Sequence, residues 1–343
     1  MRSTEATPAG FKQRLDAAAA GSTAVQALAG IRFLGIGAGV RRAHDAWHER
    51  RRRRWMAREN RAARDAWTHA PAALEPSQRR VLDALTSSGM AHVDLRALPG
   101  GEALWPDLVA AAEAWLDGPD VRQREAGYLA ADRHKGKDYL IRLYGRNAPI
   151  PWESPWLRLA IAPAIVDVVN AYLALLAKII YIDVLNTVPL HHSGPDIGSQ
   201  KWHRDPEDAR LVKVFLYLRD VTDGAGPFEY VPHSRAGERH GDLWPQQFPA
   251  GSIPPEAEVN AAIPAVDRVR CVHPAGTLLF VDTAGLHRGG RADADRRLVA
   301  TCTYTTHACV WPRAFAIDRD RVPDTLSPTA RMALLTPDEP ATF

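Results

Sequence analysis

The stretch GSQKWHRDPEDARLVKVFLYLRD, Gly198 to Asp220, decides how this chain is read. It places a histidine and an aspartate two residues apart, His203 and Asp205, just before a strongly apolar run, Leu211–Leu218. In extended chain, residues i and i+2 project from one face, so both side chains can address one object. The intervening Arg204 then faces the other way. The spacing alone is weak: 13 His and 26 Asp in 343 residues give about one His-x-Asp by chance, and His92 with Asp94 repeats it. The surroundings separate the pairs. Around His92 the strand is short, and the next histidine, His134, lies in the polar, turn-forming ADRHKGKD. Beyond His203 a second apolar run, GTLLFVD, leads into TAGLHRGG and sets His287 beside a glycine turn, 84 residues on. Two histidines and one carboxylate are the facial triad of non-haem Fe(II) oxygenases, which leaves coordination positions open for substrate and O₂.

Working outward, KIIYIDVLNTV (178–188), RLVKVFLYLRDV, PFEYVP, GTLLFVD and RLVATCTYTTH are short runs rich in β-branched and aromatic residues, separated by Gly, Pro and Asp. Strands without intervening amphipathic helices predict an antiparallel sandwich or barrel. A proline-rich insertion at 238–266 interrupts them, as a functional lid or irregular loop would. Ahead of the β region the spacing predicts a capped helix from Ser77, a break at Gly89, a short strand over Ala91–Leu95, a helix over Asp107–Leu116 and a helical pattern over Trp156–Ala177 broken at Pro163.

Composition sets the class. With 46% hydrophobic and 24% charged residues, the chain reads as an ordinary globular protein. Three cysteines, Cys271, Cys302 and Cys309, suit neither a disulfide framework nor a cysteine-rich zinc site, and they fit a reducing, cytoplasmic setting. The net charge of +3 is uneven: residues 1–70 hold 14 Lys/Arg against 6 Asp/Glu. This segment, with five consecutive arginines from Arg50 to Arg54, reads as a solvated Ala/Arg-rich helix, and residues 41–64 offer weak contact to an anionic surface. No nucleic-acid-binding motif accompanies the charge, so no specific nucleic-acid partner is expected. The glycine-rich run at 21–40 carries Arg32 near its middle and reads as a weakly ordered or amphipathic segment rather than a span. A serine-hydrolase reading fails for want of a Gly-x-Ser-x-Gly elbow.

An iron site of this kind needs a cation for a co-substrate carboxylate. Arg296 and Arg297 open the last long β run, and strand alternation allows only one of them to face inward. Lys137, Tyr139 and Arg142 in KDYLIRLYG can line the pocket, meet an anionic substrate or decorate a sheet edge. His191 and His192 are adjacent, so in a strand they would point apart, and a loop or pocket role suits them better.

QKWHRD, GAGPFEYVPHSRAGE and GTLLFVDTAGLHRGG followed by DRRLVATCTY resemble, in this order, the recurrent phrases of the phytanoyl-CoA dioxygenase family of Fe(II)/2-oxoglutarate-dependent oxygenases. The resemblance runs from about Ser77 to Thr306. It implies a mainly β fold with flanking helices around a double-stranded β-helix, or jelly-roll, core. It leaves uncovered the two ends, so three segments are expected: a basic, helical extension at 1–76, read from composition; the oxygenase domain at 77–310, with a helical lead-in to 177; and a tail at 311–343. It makes His203, Asp205 and His287 the iron ligands and selects Arg297 over Arg296 as the grip on 2-oxoglutarate, with Gln200 and Asn186 as further co-substrate contacts. Tyr139, Trp202 and His233 become candidate pocket residues for a small-molecule substrate. The implied reaction consumes O₂ and 2-oxoglutarate, releases succinate and CO₂, and hydroxylates an unactivated C–H bond. Desaturation, cyclisation or epimerisation at the same iron is an alternative outcome, and a metal-poor binding or regulatory relative is a rival class. Related halogenating enzymes have a small residue where Asp205 stands, so hydroxylation is favoured over halogenation. The family's usual PGSH reads PHSRAGERH here, which bears on the substrate rather than on the iron.

Overall fold

The structure is a computed structural model and describes residues 36–131, 136–189, 195–247 and 251–336. His134, His191, His192 and most of the 21–40 run lie outside the described residues. The chain divides into two compact units, Met1–Arg58 and Glu59–Phe343. In the first, a helix over Ile36–Glu59 carries the arginine run. Arg50, Arg51, Arg53 and Arg54 are exposed, and Glu49 pairs with Arg52 and Arg53 at 2.8 Å each.

The second unit is a jelly roll. Its strands are β1 (Met90–Asp94), β2 (Leu140–Arg142), β3 (Ala148–Pro149), β4 (Lys178–Thr187), β5 (Leu211–Tyr217), β6 (Phe228–Tyr230), β7 (Val269–Arg270), β8 (Thr277–Val281), β9 (His287–Gly289), β10 (Arg297–Thr305) and β11 (Phe315–Ala316). The larger sheet is antiparallel in the order β1-β8-β5-β10-β4-β2, and the smaller runs β7-β6-β9. Single bridges from His203 to His287 and from Arg204 to Ser252 extend the smaller sheet. β3 and β11 form a separate parallel pair.

Both faces of the large sheet are covered, which explains why its strands are apolar almost throughout. On β5, Val212, Val214 and Leu216 join Ile182, Phe280 and Tyr304 in a core beneath the helices Pro155–Ala160 and Pro163–Leu173. The alternate residues Phe215 and Tyr217 meet Phe228, Tyr230, Val281 and Val299 between the two sheets. Proline starts each of those helices, where its missing N–H has no partner to lose, so Pro163 divides them as the sequence predicts.

Three boundaries differ from expectation. The second unit begins at Glu59 rather than near 77, because the helix Arg61–His69 buries Ala63 in the main core. The Ala63 carbonyl accepts from Leu176 N, and Asn60 accepts from Ala308 N. The 311–343 segment is no loose tail where described: β11 pairs with β3, and the helix Pro328–Leu335 buries Ala330, Ala333 and Leu334. The proline-rich insertion is bound to the metal-side chain, since Gln246 Nε2 donates to the carbonyls of Asp205 (2.6 Å) and Asp208 (2.8 Å).

Candidate metal centre

His203 and His287 sit on neighbouring chains of the smaller sheet, and the backbone N–H of each bonds the carbonyl of the other. Asp205 N donates to Thr283 O at 2.9 Å, fixing the segment one step further. The imidazoles lie 4.2 Å apart by ring centroid. Asp205 Oδ1 is 3.6 Å from His203 Nε2, and Oδ2 is 3.4 Å from His287 Nε2. Three adjacent ligands about 2.1 Å from an octahedral ion stand roughly 3 Å apart, so this set is close to closing on one divalent cation. Among the described residues it is the one His/Cys/Asp/Glu cluster of that kind.

The ring nitrogens are already assigned by their neighbours. His203 Nδ1 lies 2.8 Å from Lys201 O, and His287 Nδ1 lies 3.0 Å from Gly285 O. A carbonyl can only accept, so each Nδ1 carries the proton and each Nε2 presents a lone pair to a metal. Burial, with His287 alongside, pushes the His203 pKa down to about 3, which keeps that ring neutral. Burial would raise the Asp205 carboxyl, but Lys213 and the two imidazoles outweigh it and hold it well below the usual range. The glycine turn before His287 has a steric cause: a Cβ on Gly285 would stand 2.2 Å from the Tyr230 hydroxyl.

Lys213 was not singled out from the sequence. Its Nζ pairs with Asp205 Oδ2 at 2.7 Å and with Glu207 Oε1 at 3.2 Å. Burial depresses its ammonium, and the two carboxylates more than reverse this. The available signal was a lysine at an inward position of an otherwise apolar strand, where an unpaired charge is very costly.

Arg297 faces inward, on the same side of β10 as Val299, and is the half-buried member of the arginine pair, Arg296 being exposed. Its Nη2 is 3.6 Å from the point where a Cβ on Gly289 would stand. Gly289 is two residues beyond His287, a strand rise of roughly 7 Å. The guanidinium therefore sits about one short dicarboxylate away from the triad. Three buried polar atoms in this region lack a partner: Arg297 Nη1, Gln200 Nε2 and Oγ1 of Thr187, which stands directly opposite Arg297 on β4. Such orphans suit a carboxylate that would satisfy them. Tyr139, expected in the substrate pocket, lies at this end, hydrogen-bonded to Ser199 and close to Arg297.

Other expected residues are placed elsewhere. Asn186 stands opposite Leu298 on the helix-facing side of the sheet and donates to Glu125 at 2.7 Å, so it is not brought to the co-substrate end. Arg296 pairs with the same Glu125. Trp202, adjacent to His203 and thus on the opposite face, is buried with Val231, Val259, Ile263 and Leu286 under the rings' two cation neighbours, Arg288 (4.8 Å) and Arg268 (5.7 Å). His233 is exposed in a turn with φ +57°. A third His-x-Asp, His240 and Asp242, escaped the sequence comparison and lies in the same turn-rich loop. His92 stacks on His273 at 4.4 Å, with no third ligand among the described residues.

No protein-family model matches the chain, and no curated protein matches it. Among solved structures the chain is similar to the non-haem alpha ketoglutarate dependent epimerase SnoN from nogalamycin biosynthesis (TM-score 0.45, 16% identity, covering 67% of this chain and 83% of that one). It is also similar to EctD from S. alaskensis, solved with 2-oxoglutarate and 5-hydroxyectoine (TM-score 0.44, 18% identity, 69% and 79%). A third is AviO1 from Streptomyces viridochromogenes Tue57 (TM-score 0.43, 17% identity, 69% and 98%). These are distant likenesses of shape, and the chemistry of this chain rests on its own side chains.

Proposed function

We propose that this protein is an Fe(II)/2-oxoglutarate-dependent oxygenase that hydroxylates a C–H bond of a small molecule, and that it is a member of the phytanoyl-CoA dioxygenase family. The observation that carries the reading is the buried His203–Asp205–His287 cluster with Arg297 one dicarboxylate length away along the same chain of contacts. When bound, iron and 2-oxoglutarate supply the O₂-dependent oxidation and the succinate and CO₂ released with it.

The chain's own part is to hold and to exclude. His203 and His287 present Nε2 through tautomers set by Lys201 O and Gly285 O. Asp205 would add the third ligand and the only anionic one of the three, and Lys213 restrains its second oxygen. Arg297, Thr187 and Gln200 offer the unmatched polar atoms that a distal carboxylate satisfies. Phe215, Tyr217, Phe228 and Val299 form the apolar wall between the sheets that keeps bulk water from this space.

The test is anaerobic addition of Fe(II) and 2-oxoglutarate, watching for the visible charge-transfer band of the chelate. Wild-type protein should develop it, and Asp205→Ala should not. Absence of the band in wild type would overturn the reading. Product analysis separates hydroxylation from desaturation, ring closure or epimerisation at the same centre.

A further inference from the structure

Two cations near the metal centre have no acid of their own among the described residues. Arg142 stands opposite Leu185 in the β2–β4 register, on the inward face, and its Nη1 donates to the Tyr181 hydroxyl at 3.2 Å. Tyr181 in turn donates to Asp183 at 2.9 Å, so the direct partner of Arg142 is a neutral phenol. Lys137 lies just before β2 and runs its stem across Gly198: a Cβ there would stand 2.4 Å from Lys137 Cε. Gly198, at φ +57°, is thus the gap through which the lysine reaches the site. The charges that bear on Lys137 are Arg142 and Lys213 on one side and Asp205 and Glu207 on the other. Among the described residues, neither Lys137 nor Arg142 forms an ion pair, whereas Lys213 takes both nearby carboxylates.

Resting on the oxygenase reading above, we infer that Lys137 and Arg142 receive an oxyanionic group of the substrate, a carboxylate or a phosphate, at the open side of the metal centre. The charge balance favours it. Among the described residues, the cations here are the exposed Lys137 and the half-buried Arg142, Lys213 and Arg297, against Asp205, Glu207 and Asp183, while Asp196 has its own cation in Arg288 at 3.9 Å. A divalent ion and a dicarboxylate cancel each other, so loading the site leaves the surplus positive charge in place. Arg142 and Lys213 are like charges that bear on the Lys137 ammonium, a repulsion that a bound oxyanion relieves. Arg142 supplies a planar fork and Lys137 a mobile point charge, a pairing suited to an oxyanion of either kind.

The test uses inorganic phosphate and acetate as probes on the full chain. In the anaerobic Fe(II)/2-oxoglutarate complex, where the co-substrate occupies Arg297, at least one probe should perturb the charge-transfer band saturably. Lys137→Met and Arg142→Met should each weaken that probe about tenfold, with Lys137→Arg retaining it. Affinity for 2-oxoglutarate, read from the same band, should change less than twofold. The stronger probe identifies the group as phosphate or carboxylate. Calorimetry on metal-free Arg297→Gln, which removes the guanidinium at the co-substrate end, should still register phosphate or acetate. If neither probe binds while the band is intact, or if the substitutions weaken 2-oxoglutarate instead, the inference is overturned. Loss of the band with probe binding retained would overturn the iron reading alone.

Discussion

His203 and His287 exchange backbone hydrogen bonds in both directions, N to O at 2.8 and 3.0 Å, although 84 residues separate them. The metal ligands are therefore brought together by sheet pairing, and the unfolded chain has no site to offer. Ligand that binds only the folded state stabilises it, by about 2.7 kcal/mol at a hundredfold excess over Kd. Adding Fe(II) anaerobically, or Ni(II) as an inert substitute, should raise the Tm by several degrees. Asp205→Ala and His287→Ala should abolish the shift, as measured by calorimetry.

The adjacent arginines should separate cleanly. Arg297 is half-buried, with an Nη1 that is out of solvent and unmatched, whereas Arg296 is exposed and bonded to Glu125. Arg297→Gln is expected to raise the Kd for 2-oxoglutarate about 10- to 100-fold, the worth of a charge-assisted contact. Arg296→Gln should change it less than twofold. Titration of the anaerobic band with co-substrate measures both.

Arg204 should prove a stability residue despite lying between two metal ligands. Its buried guanidinium donates to four carbonyls, those of Ser234, Ala284, His240 and Leu243. It thereby ties the segment carrying His203 and Asp205 to the loop holding Ser234, His240 and Leu243 and to Ala284 before His287. Arg204→Leu strands those carbonyls and is expected to cost about 3–5 kcal/mol in chemical denaturation. Arg204→Lys should recover little, because one ammonium cannot span the four acceptors.

Asp208 gives a pH signature. Burial raises its pKa to about 6, only partly offset by bonds from Thr306 Oγ1, Thr306 N and Ala209 N. The folded state thus holds this proton more tightly than the unfolded chain does. The associated stability is present below the unfolded pKa near 4 and is lost as pH rises through about 6. Asp208→Asn removes that dependence. The stability of the variant relative to wild type should improve by about 3 kcal/mol between pH 3.5 and pH 7, as read by urea unfolding across that range. A constant offset would mean that folding does not shift the Asp208 pKa.

Much of the site was legible because strands obey a period of two. Alternation alone limits the Arg296–Arg297 pair to one inward member, and the register confirms that member as Arg297. The same rule puts Trp202 and Arg204 on the face away from the triad. It could not place Asn186, because alternation sets Asn186 on the face of Ile182 and Val184 but not which face of β4 meets the helices. Nor could it show that Arg204 is buried, since its four acceptors come from three separated segments.

By itself, then, the sequence determined the residue types of the triad, the strand-rich architecture and the break at Pro163, all of which follow from local spacing and local backbone preference. Tertiary structure alone decided that His203 and His287 pair across the smaller sheet, that Lys213 faces Asp205, and that Lys137 and Arg142 lack carboxylate partners among the described residues. The reason is physical. Side-chain direction along one strand is a local property, whereas burial, charge pairing and metal geometry depend on which distant strands the fold sets side by side.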